Sequence, residues 1–531
     1  MMKNSTRATR SRVTKTASAK SAAPSKGKAQ ATKASDSDKE NKGQRAAIST
    51  ARTKRKRDEP DAPQGDTNNA KRVKTSSAPP RSAKASAPKK NGVRAKRAKP
   101  IKKINEAPTE PMDIFVFGEG AGGELGLGSK EVNDQQPYEV MRPRLNPLLS
   151  SKDVGVVQMS CGGLHGVAIT KDNKILTWGV NDHGALGRDT NVEEDDDDLL
   201  NPAESTPGPI DTSGLDPDIK WAQVVGLDNA SFALTEDGKV YGWGTFRGRE
   251  GVTGFRAITK PAEIQKTICL IPELKNIVQL AAGTNHILAL DNKGKVYAWG
   301  CGEQGQIGRV VPAYRPESAL KPEGIGRLPK RGAKAVKVAC GSYHSFIIDQ
   351  QGRVFAWGLN NLGELAIPDQ AGENDAHETR PRFVEALSQY KIVDIIGGQH
   401  HSLAVTDDGK LLAWGRIDGH QVGLAADTFT EENTIFDEHG RPRILIQPTV
   451  VPNIPPVVAV TAGGDHSLVL TAEGKAYSWG FSSSGRTGLG TEDDVEIPTL
   501  INSKSVRDRE LIFADAGGPF SVLGAIAGNA G

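Results

Sequence analysis

Residues 1–111 contain no Leu, Phe, Tyr or Trp and consist largely of Lys, Ala, Ser, Thr and Arg. Such a segment cannot bury enough apolar surface to offset the entropy of ordering its backbone, so a disordered basic tail is expected there. Cysteine is also scarce. Cys161, Cys269, Cys301 and Cys340 are the only four in 531 residues, and none stands in C-x-x-C spacing. That argues against a zinc site, offers no disulfide framework, and fits a reducing compartment. No apolar run approaches the ~18 residues that cross a bilayer, and the N-terminus lacks the apolar core of a secretory signal. A soluble intracellular protein without membrane contact is therefore expected. Walker and G-x-S-x-G sequences are missing, so neither a P-loop nor a hydrolase elbow is indicated.

The net charge of +4 conceals two opposite halves. Residues 1–111 carry 30 Lys+Arg against 9 Asp+Glu, and the rest of the chain carries 38 against 55. A strongly cationic tail binds phosphates without regard to sequence, which makes nucleosomal DNA a natural target. Within the tail, Lys54, Arg55, Lys56 and Arg57 are followed after thirteen residues by Lys71, Arg72 and Lys74. That is the spacing of a bipartite nuclear import signal, and it implies import receptors as partners and a nuclear location. The competing readings are a solvated basic run or a mitochondrial presequence, and the absence of Leu and aromatics disfavours an amphipathic presequence helix.

The remainder is repetitive. An aromatic followed by Gly recurs at Phe117, Trp178, Trp243, Trp299, Trp357, Trp414 and Trp479, at spacings of 61, 65, 56, 58, 57 and 65. Thirteen residues before each Trp stands one column: His165, Ala230, His286, His344, His401 and His466. Between column and Trp lies a tight turn whose second position is Gly in five units and Asn173 in the other, residues that tolerate positive φ. Each unit therefore reads as a short antiparallel sheet. The chain opens on the second half of a unit at Phe115-Val-Phe-Gly118 and closes on a first half around Ala514–Leu523. Two half-units that complete one sheet close a ring and remove its open edges. An all-β fold is expected over residues 112–527: a seven-bladed β-propeller closed by N- and C-terminal half-repeats, with the tail at 1–111.

Five His in equivalent positions of separate blades lie at similar radii, far from one another, so they are expected to tie blades together by hydrogen bonds rather than hold a metal. The Trp column is expected to fill the space between blades. Two G-x-G-x-x-G matches, beginning at Gly118 and Gly300, belong to the repeat and precede no helical pattern, so they are turns and not nucleotide cradles. No cofactor is indicated.

The aromatic-Gly, Gly-x-Leu-Gly and Gly-x-x-His-Ser pattern over roughly residues 113–525 resembles the regulator of chromosome condensation family. The stretches Asn181–Thr190, Gly300–Arg309 and Gly397–Ser402 resemble its members that exchange nucleotide on the GTPase Ran. The resemblance implies exchange of GDP for GTP on Ran at chromatin, without covalent chemistry. Function is also expected where a unit breaks its own pattern. The second full repeat has Ala230 in the His column, Leu227 where neighbours have Gly, and Thr245-Phe-Arg-Gly-Arg-Glu-Gly-Val-Thr-Gly-Phe255 in place of Gly-x-Leu-Gly. By resemblance, Phe246, Arg247, Gly248, Arg249, Glu250, Gly251, Val252, Thr253, Gly254 and Phe255 form a β-wedge that enters the GTPase near its phosphate-binding loop. An extended loop is the alternative. The resemblance further assigns Asp228, Asn285, Arg309 and His400, with Asp465 as a further candidate, to the GTPase-binding face; the family commonly carries an acid where Asn285 stands. It places Arg315 and Arg327 against the acidic patch of the histone octamer. The alternative for each is an ordinary solvated loop residue. Two other classes remain open: a non-catalytic chromatin or protein-binding scaffold, and a propeller hydrolase, lyase or photoreceptor. Six of seven Trp sit in the column, which leaves no surface Trp cluster for the photoreceptor.

Overall fold

A computed structural model describes residues 103–192, 200–256 and 264–528. The import-signal clusters and nearly all of the expected tail lie outside the described residues. The described chain forms seven successive antiparallel blades, the seventh and first joined into one eight-stranded sheet by Met112↔Val156, and a separate two-stranded hairpin. Blade 1 is built from Val156–Cys161, His165–Thr170, Ile175–Gly179 and the edge pair Gly208–Pro209. Blades 2 to 6 repeat the order, starting at Trp221, Ile277, Ala335, Ile392 and Val457. Blade 5 carries a fifth strand, Thr434–Phe436, paired to its outer strand Pro442–Val450.

Blade 7 is the split one. Leu511–Ala516 and Phe520–Ile526 come from the end of the chain, and Met112–Glu119 and Glu139–Leu145 from its beginning. Met112–Glu119 pairs with Phe520–Ile526 in continuous register from Met112↔Ile526 to Gly118↔Phe520. The ring closes through both termini, as the half-repeats imply. Among the described residues no helix is long and apolar enough to cross a membrane.

Residues before 112 already contact the blades. Ile104 and Asn105 both donate their backbone N–H to Glu236 O, Lys103 pairs with Glu236, and Asn105 is buried. Residues 103–105, expected to belong to the tail, are thus in contact with blade 2. Pattern missed this contact because one buried side chain, Asn105, does the anchoring, not an apolar periodicity.

Every column His is fully buried, and each reaches the next blade. His165 Nε2 lies 2.8 Å from Ser231 Oγ, His286 2.8 Å from Ser345, His344 3.0 Å from Ser402, His401 2.8 Å from Ser467 and His466 2.8 Å from Ser521. Each of these Ser donates its own hydrogen to a turn carbonyl: Ala185, Gln306, Glu364, Gln421 or Arg486. The Ser oxygen therefore accepts, and the imidazole carries its proton on Nε2. Column Trp residues share the carbonyls: Trp243 Nε1 donates to Ala185 O at 2.7 Å, and Trp357, Trp414 and Trp479 donate to Gln306, Glu364 and Gln421 O at 2.8 Å. The imidazole ring also explains the glycine three residues ahead. A Cβ at Gly283 would meet His286 Cε1 at 2.2 Å, so glycine is required wherever the column is His. In blade 2 the ring is absent, Ala230 leaves the space, and Leu227 fills it.

Along the central channel a second set of stitches joins the inner strands. Gln158 bonds both backbone groups of Val224, Gln223 those of Leu280, and Gln279 those of Val338, each side chain standing in for a neighbouring strand. Lys337 and Asp394 form an ion pair across the next seam.

Candidate functional site

Strand pairing sets which loops share an end of the ring. In each blade the first residue of the second strand, His in five of them, pairs with the Gly of the aromatic-Gly step on the third, as in His286↔Gly300 and Ala230↔Gly244. The loop before the His and the loop after the Trp-Gly step therefore emerge together. Asp228, Asn285, His400, Asp465 and the residues after Trp243 all lie at this end.

Blade 2 sends a hairpin from it. Phe246–Gly248 pairs with Gly251–Gly254, in register Arg247↔Val252 and Gly248↔Gly251. Gly251 has φ of 106°, a conformation closed to ordinary side chains, with nothing within 4 Å of where a Cβ would sit. The root and the tip differ in character. Phe246, Gly254 and Phe255 are buried, with the two rings stacked 6.1 Å apart and Phe232 wedged between them and Trp299. Arg247, Arg249, Glu250, Val252 and Thr253 are exposed. Phe246 and Phe255, expected as part of the contact surface, are instead its anchors, because large rings at a strand exit are driven into the core.

Two polar contacts fix the hairpin. Asn285 Oδ1 accepts the Arg247 N–H at 2.9 Å, and Glu303 accepts the Arg249 N–H at 3.0 Å. An amide oxygen accepts this bond as a carboxylate would, so Asn at 285 preserves the anchor without its charge. Asn285→Asp is expected to retain the hairpin position, and Asn285→Ala to loosen it by about 1 kcal/mol, read as faster hydrogen exchange at the Arg247 amide. Glu303 was missed in the sequence because it sits inside the glycine-rich turn of blade 3, which reads as repeat.

Asn285, His400 and Asp465 occupy one repeated position, immediately before the column, and each holds the loop of the preceding blade. His400 Nδ1 lies 2.9 Å from Glu364 Oε1, and Gln421 Nε2 donates to Asp465 at 3.0 Å. The Glu364 side chain is fully buried, so His400 is held by it while its ring tilts against Tyr343. Asp228, one position earlier in blade 2, lines the mouth of the central channel beside Asn229, Arg247 and Tyr343. Burial there pushes its carboxyl up to about 6, opposed by the Arg247 guanidinium. It is ionised at neutral pH and loses its charge below about 6.

Arg309 does not join this face. Its guanidinium donates to the carbonyls of Ser318, Ala319 and Lys321, and its side chain is only 12% exposed. Arg188 makes the matching bonds to Thr177, Ala203 and Thr206 in blade 1. Arg309 is thus a loop staple repeated between blades, drawn inward by unpaired turn carbonyls. Arg315 and Arg327 are both exposed and flank the short edge strand Glu323–Gly324 along the chain; Arg315 lies 5.8 Å from the ring of Tyr314, which is 81% exposed. No cluster of His, Cys, Asp or Glu among the described residues is arranged to hold a metal.

Residues 113–523 match the RCC1-like domain. The chain belongs to this family. It is 42% identical to Protein pim1 of Schizosaccharomyces pombe over 436 residues, covering 81% of this chain and 77% of that protein. It is 39% identical to guanine nucleotide exchange factor SRM1 of Saccharomyces cerevisiae, covering 78% and 88% of the two. The crystal structure of Prp20p from Saccharomyces cerevisiae, described with its binding properties to Gsp1p and histones, superposes with a TM-score of 0.73 at 38% identity over 80% of this chain and 94% of that one. Its hairpin stands on blade 2, where the column carries Ala230 in place of His.

Proposed function

We propose that this chain is a guanine-nucleotide exchange factor for a Ran-type GTPase and acts at chromatin. The observation that carries the reading is the blade 2 hairpin, a polar tip projected from an aromatic root at the end of the ring where Asp228, Asn285 and His400 converge. The exchange-factor relative and the Gsp1p-binding relative support it.

Exchange needs no nucleophile. A protein that binds the nucleotide-free GTPase more tightly than the loaded form weakens nucleotide binding by the same factor, because the two equilibria are linked. A rigid hairpin that displaces the phosphate-binding loop makes that difference, since only the empty GTPase accommodates it. Asn285 and Glu303 hold the hairpin in place beforehand, so little ordering entropy is lost on docking.

Release of fluorescent GDP from Ran, followed with and without the purified chain, tests the activity. Faster release supports it, and an unchanged rate rules it out. The tail adds the chromatin function: its cations engage nucleosomal DNA, Arg315 and Arg327 offer guanidinium groups to an acidic histone surface, and the two basic clusters serve import receptors. DNA affinity is expected to fall with a log-log salt slope of roughly −0.9 per phosphate engaged, and removal of residues 1–102 to collapse that slope toward zero in a fluorescence titration. A slope unchanged by the truncation would move DNA binding onto the propeller.

A further inference from the structure

The seven seams between blades are of two kinds. Five carry a His–Ser bond, and two do not. At the seam from blade 7 to blade 1 the positions are Phe520 and Gly166, and at the seam from blade 2 to blade 3 they are Ala230 and Ile287. The 7/1 seam is still secured in the channel by Asp515, which accepts the Cys161 N–H at 2.8 Å. The 2/3 seam keeps its channel stitch from Gln223 to Leu280 and the loop bonds Asn285–Arg247, Glu303–Arg249 and Asp228 N–H to Thr284 O, but its buried His–Ser position is filled by apolar groups, Leu227, Ala230, Phe232, Phe246, Ile287 and Trp299. At that buried position the contacts are non-directional, so the register of the two blades rests on the polar bonds around it, including those at the other end of the seam.

At the opposite end of the same seam stands Asn105. Its Nδ2 donates to Thr235 O of blade 2 at 2.9 Å and to Ile277 O of blade 3 at 2.9 Å, so one amide bridges both blades. Glu236 accepts the Ile104 and Asn105 backbone N–H groups at 2.8 and 2.9 Å, which seats the amide in place. Across the seam Ile277 also donates its N–H to Gly238 O at 3.1 Å.

We infer that Asn105 is a positioning residue for the hairpin: its side-chain amide clamps blade 2 to blade 3 at the seam that carries the hairpin and lacks the His–Ser bond. The clamp fixes the angle between the blade that carries the hairpin and the blade that supplies Asn285 and Glu303. It acts through those residues and touches no GTPase. The inference rests on the exchange reading for its kinetic part only. Its structural part concerns the seam itself.

The test uses the full-length chain with Asn105→Ala, Asn105→Asp and Asn173→Ala. Asn173 bridges blade 1 to Ile219 and Trp221 and serves as a control at a seam that keeps its His–Ser bond. Hydrogen exchange at the Ile277 amide is read by mass spectrometry, and kcat and KM are read from Ran nucleotide release. Loss of the amide is expected to speed exchange at Ile277 about tenfold. It is also expected to lower kcat roughly threefold or more with KM for Ran unchanged. Asn105→Asp, which lacks both donors, should match Asn105→Ala, whereas Asn173→Ala should leave kcat unaltered. An Asn105→Asp variant that behaves as wild type overturns the inference. So does a thermal-stability loss with Ile277 exchange and kcat unmoved, or an equal kcat loss from Asn173→Ala. Failure of the wild-type chain to release nucleotide at all would instead overturn the exchange reading, while Ile277 exchange would still judge the clamp.

Discussion

Removing residues 247–254 and joining Phe246 to Phe255 through two glycines is expected to lower the acceleration of GDP release from Ran by about 100-fold or more, corresponding to ~2.7 kcal/mol of lost differential binding. The buried Phe246 and Phe255 stay in place, so the aromatic cluster under the hairpin and the rest of the ring persist, and the thermal unfolding midpoint should move little. That separation makes the experiment decisive. A variant that folds normally and still accelerates release would show that the flat face around Asp228, Asn285 and His400 suffices, and that the hairpin is an ornament of blade 2. Within the hairpin, Arg249→Ala and Val252→Ala should cost less than the deletion, because each removes one exposed contact and leaves the backbone intrusion intact.

The ring should fail in mild acid. Burial holds His165 and His401 down to about 4 and His286 and His466 to about 3, and His344 is well below the ordinary value. Each imidazole already gives its one proton to a Ser oxygen, and its buried Nδ1 has no hydrogen-bond partner among the described residues, so a second proton has nowhere to bond. In the unfolded chain the same groups titrate near 6.5. A folded-state value depressed below the unfolded one means that the unfolded chain binds more protons. The stabilisation from the five His is therefore complete above pH 6.5 and declines as pH falls toward 3–4. At pH 5 the linkage is worth about 2 kcal/mol per His, or on the order of 10 kcal/mol for five, comparable to the whole stability of a domain. Circular dichroism in denaturant at stepwise lower pH should show the midpoint falling steeply below pH 6. A His344→Gln, Ser402→Ala variant should be less stable at neutral pH and flatter in its pH dependence. A midpoint constant from pH 7 to 4.5 would contradict the neutral, buried reading of the column.

Much of the architecture could be read from the column itself. The thirteen-residue interval from column to Trp appears as one hairpin in blades 1 to 6, and the half-units at Phe115–Gly118 and Ala514–Leu523 do pair into one sheet. Repetition makes such features visible, since a pattern stated many times rises above local noise. What repetition hides is a contact made once. Asn105 looks like any polar residue in a basic tail until its two carbonyl partners, more than a hundred residues away, are placed beside it. Glu303 was concealed in the same way. Arg309 failed in the opposite sense: the motif suggested an outward role, but the turn carbonyls of its own loop outcompeted solvent for the guanidinium. At Asn285 the family's acid suggested a charge, whereas the bond made there, from the Arg247 N–H, asks only for an acceptor oxygen.

The His–Ser joints also act as an address for each blade. Blades 4, 5 and 6 carry both halves of the joint, Ser345 with His344, Ser402 with His401, and Ser467 with His466. Blades 1 and 3 have the His half only, and blades 2 and 7 the Ser half only. A gene in which blades 4 and 5 trade places keeps every buried donor matched to an acceptor. One in which blades 2 and 4 trade places strands a His at one junction and a Ser at another. Recombination among such repeats is thus constrained by chemistry at the junctions, and the blade order of the ring is written in pairs of residues that belong to two blades at once.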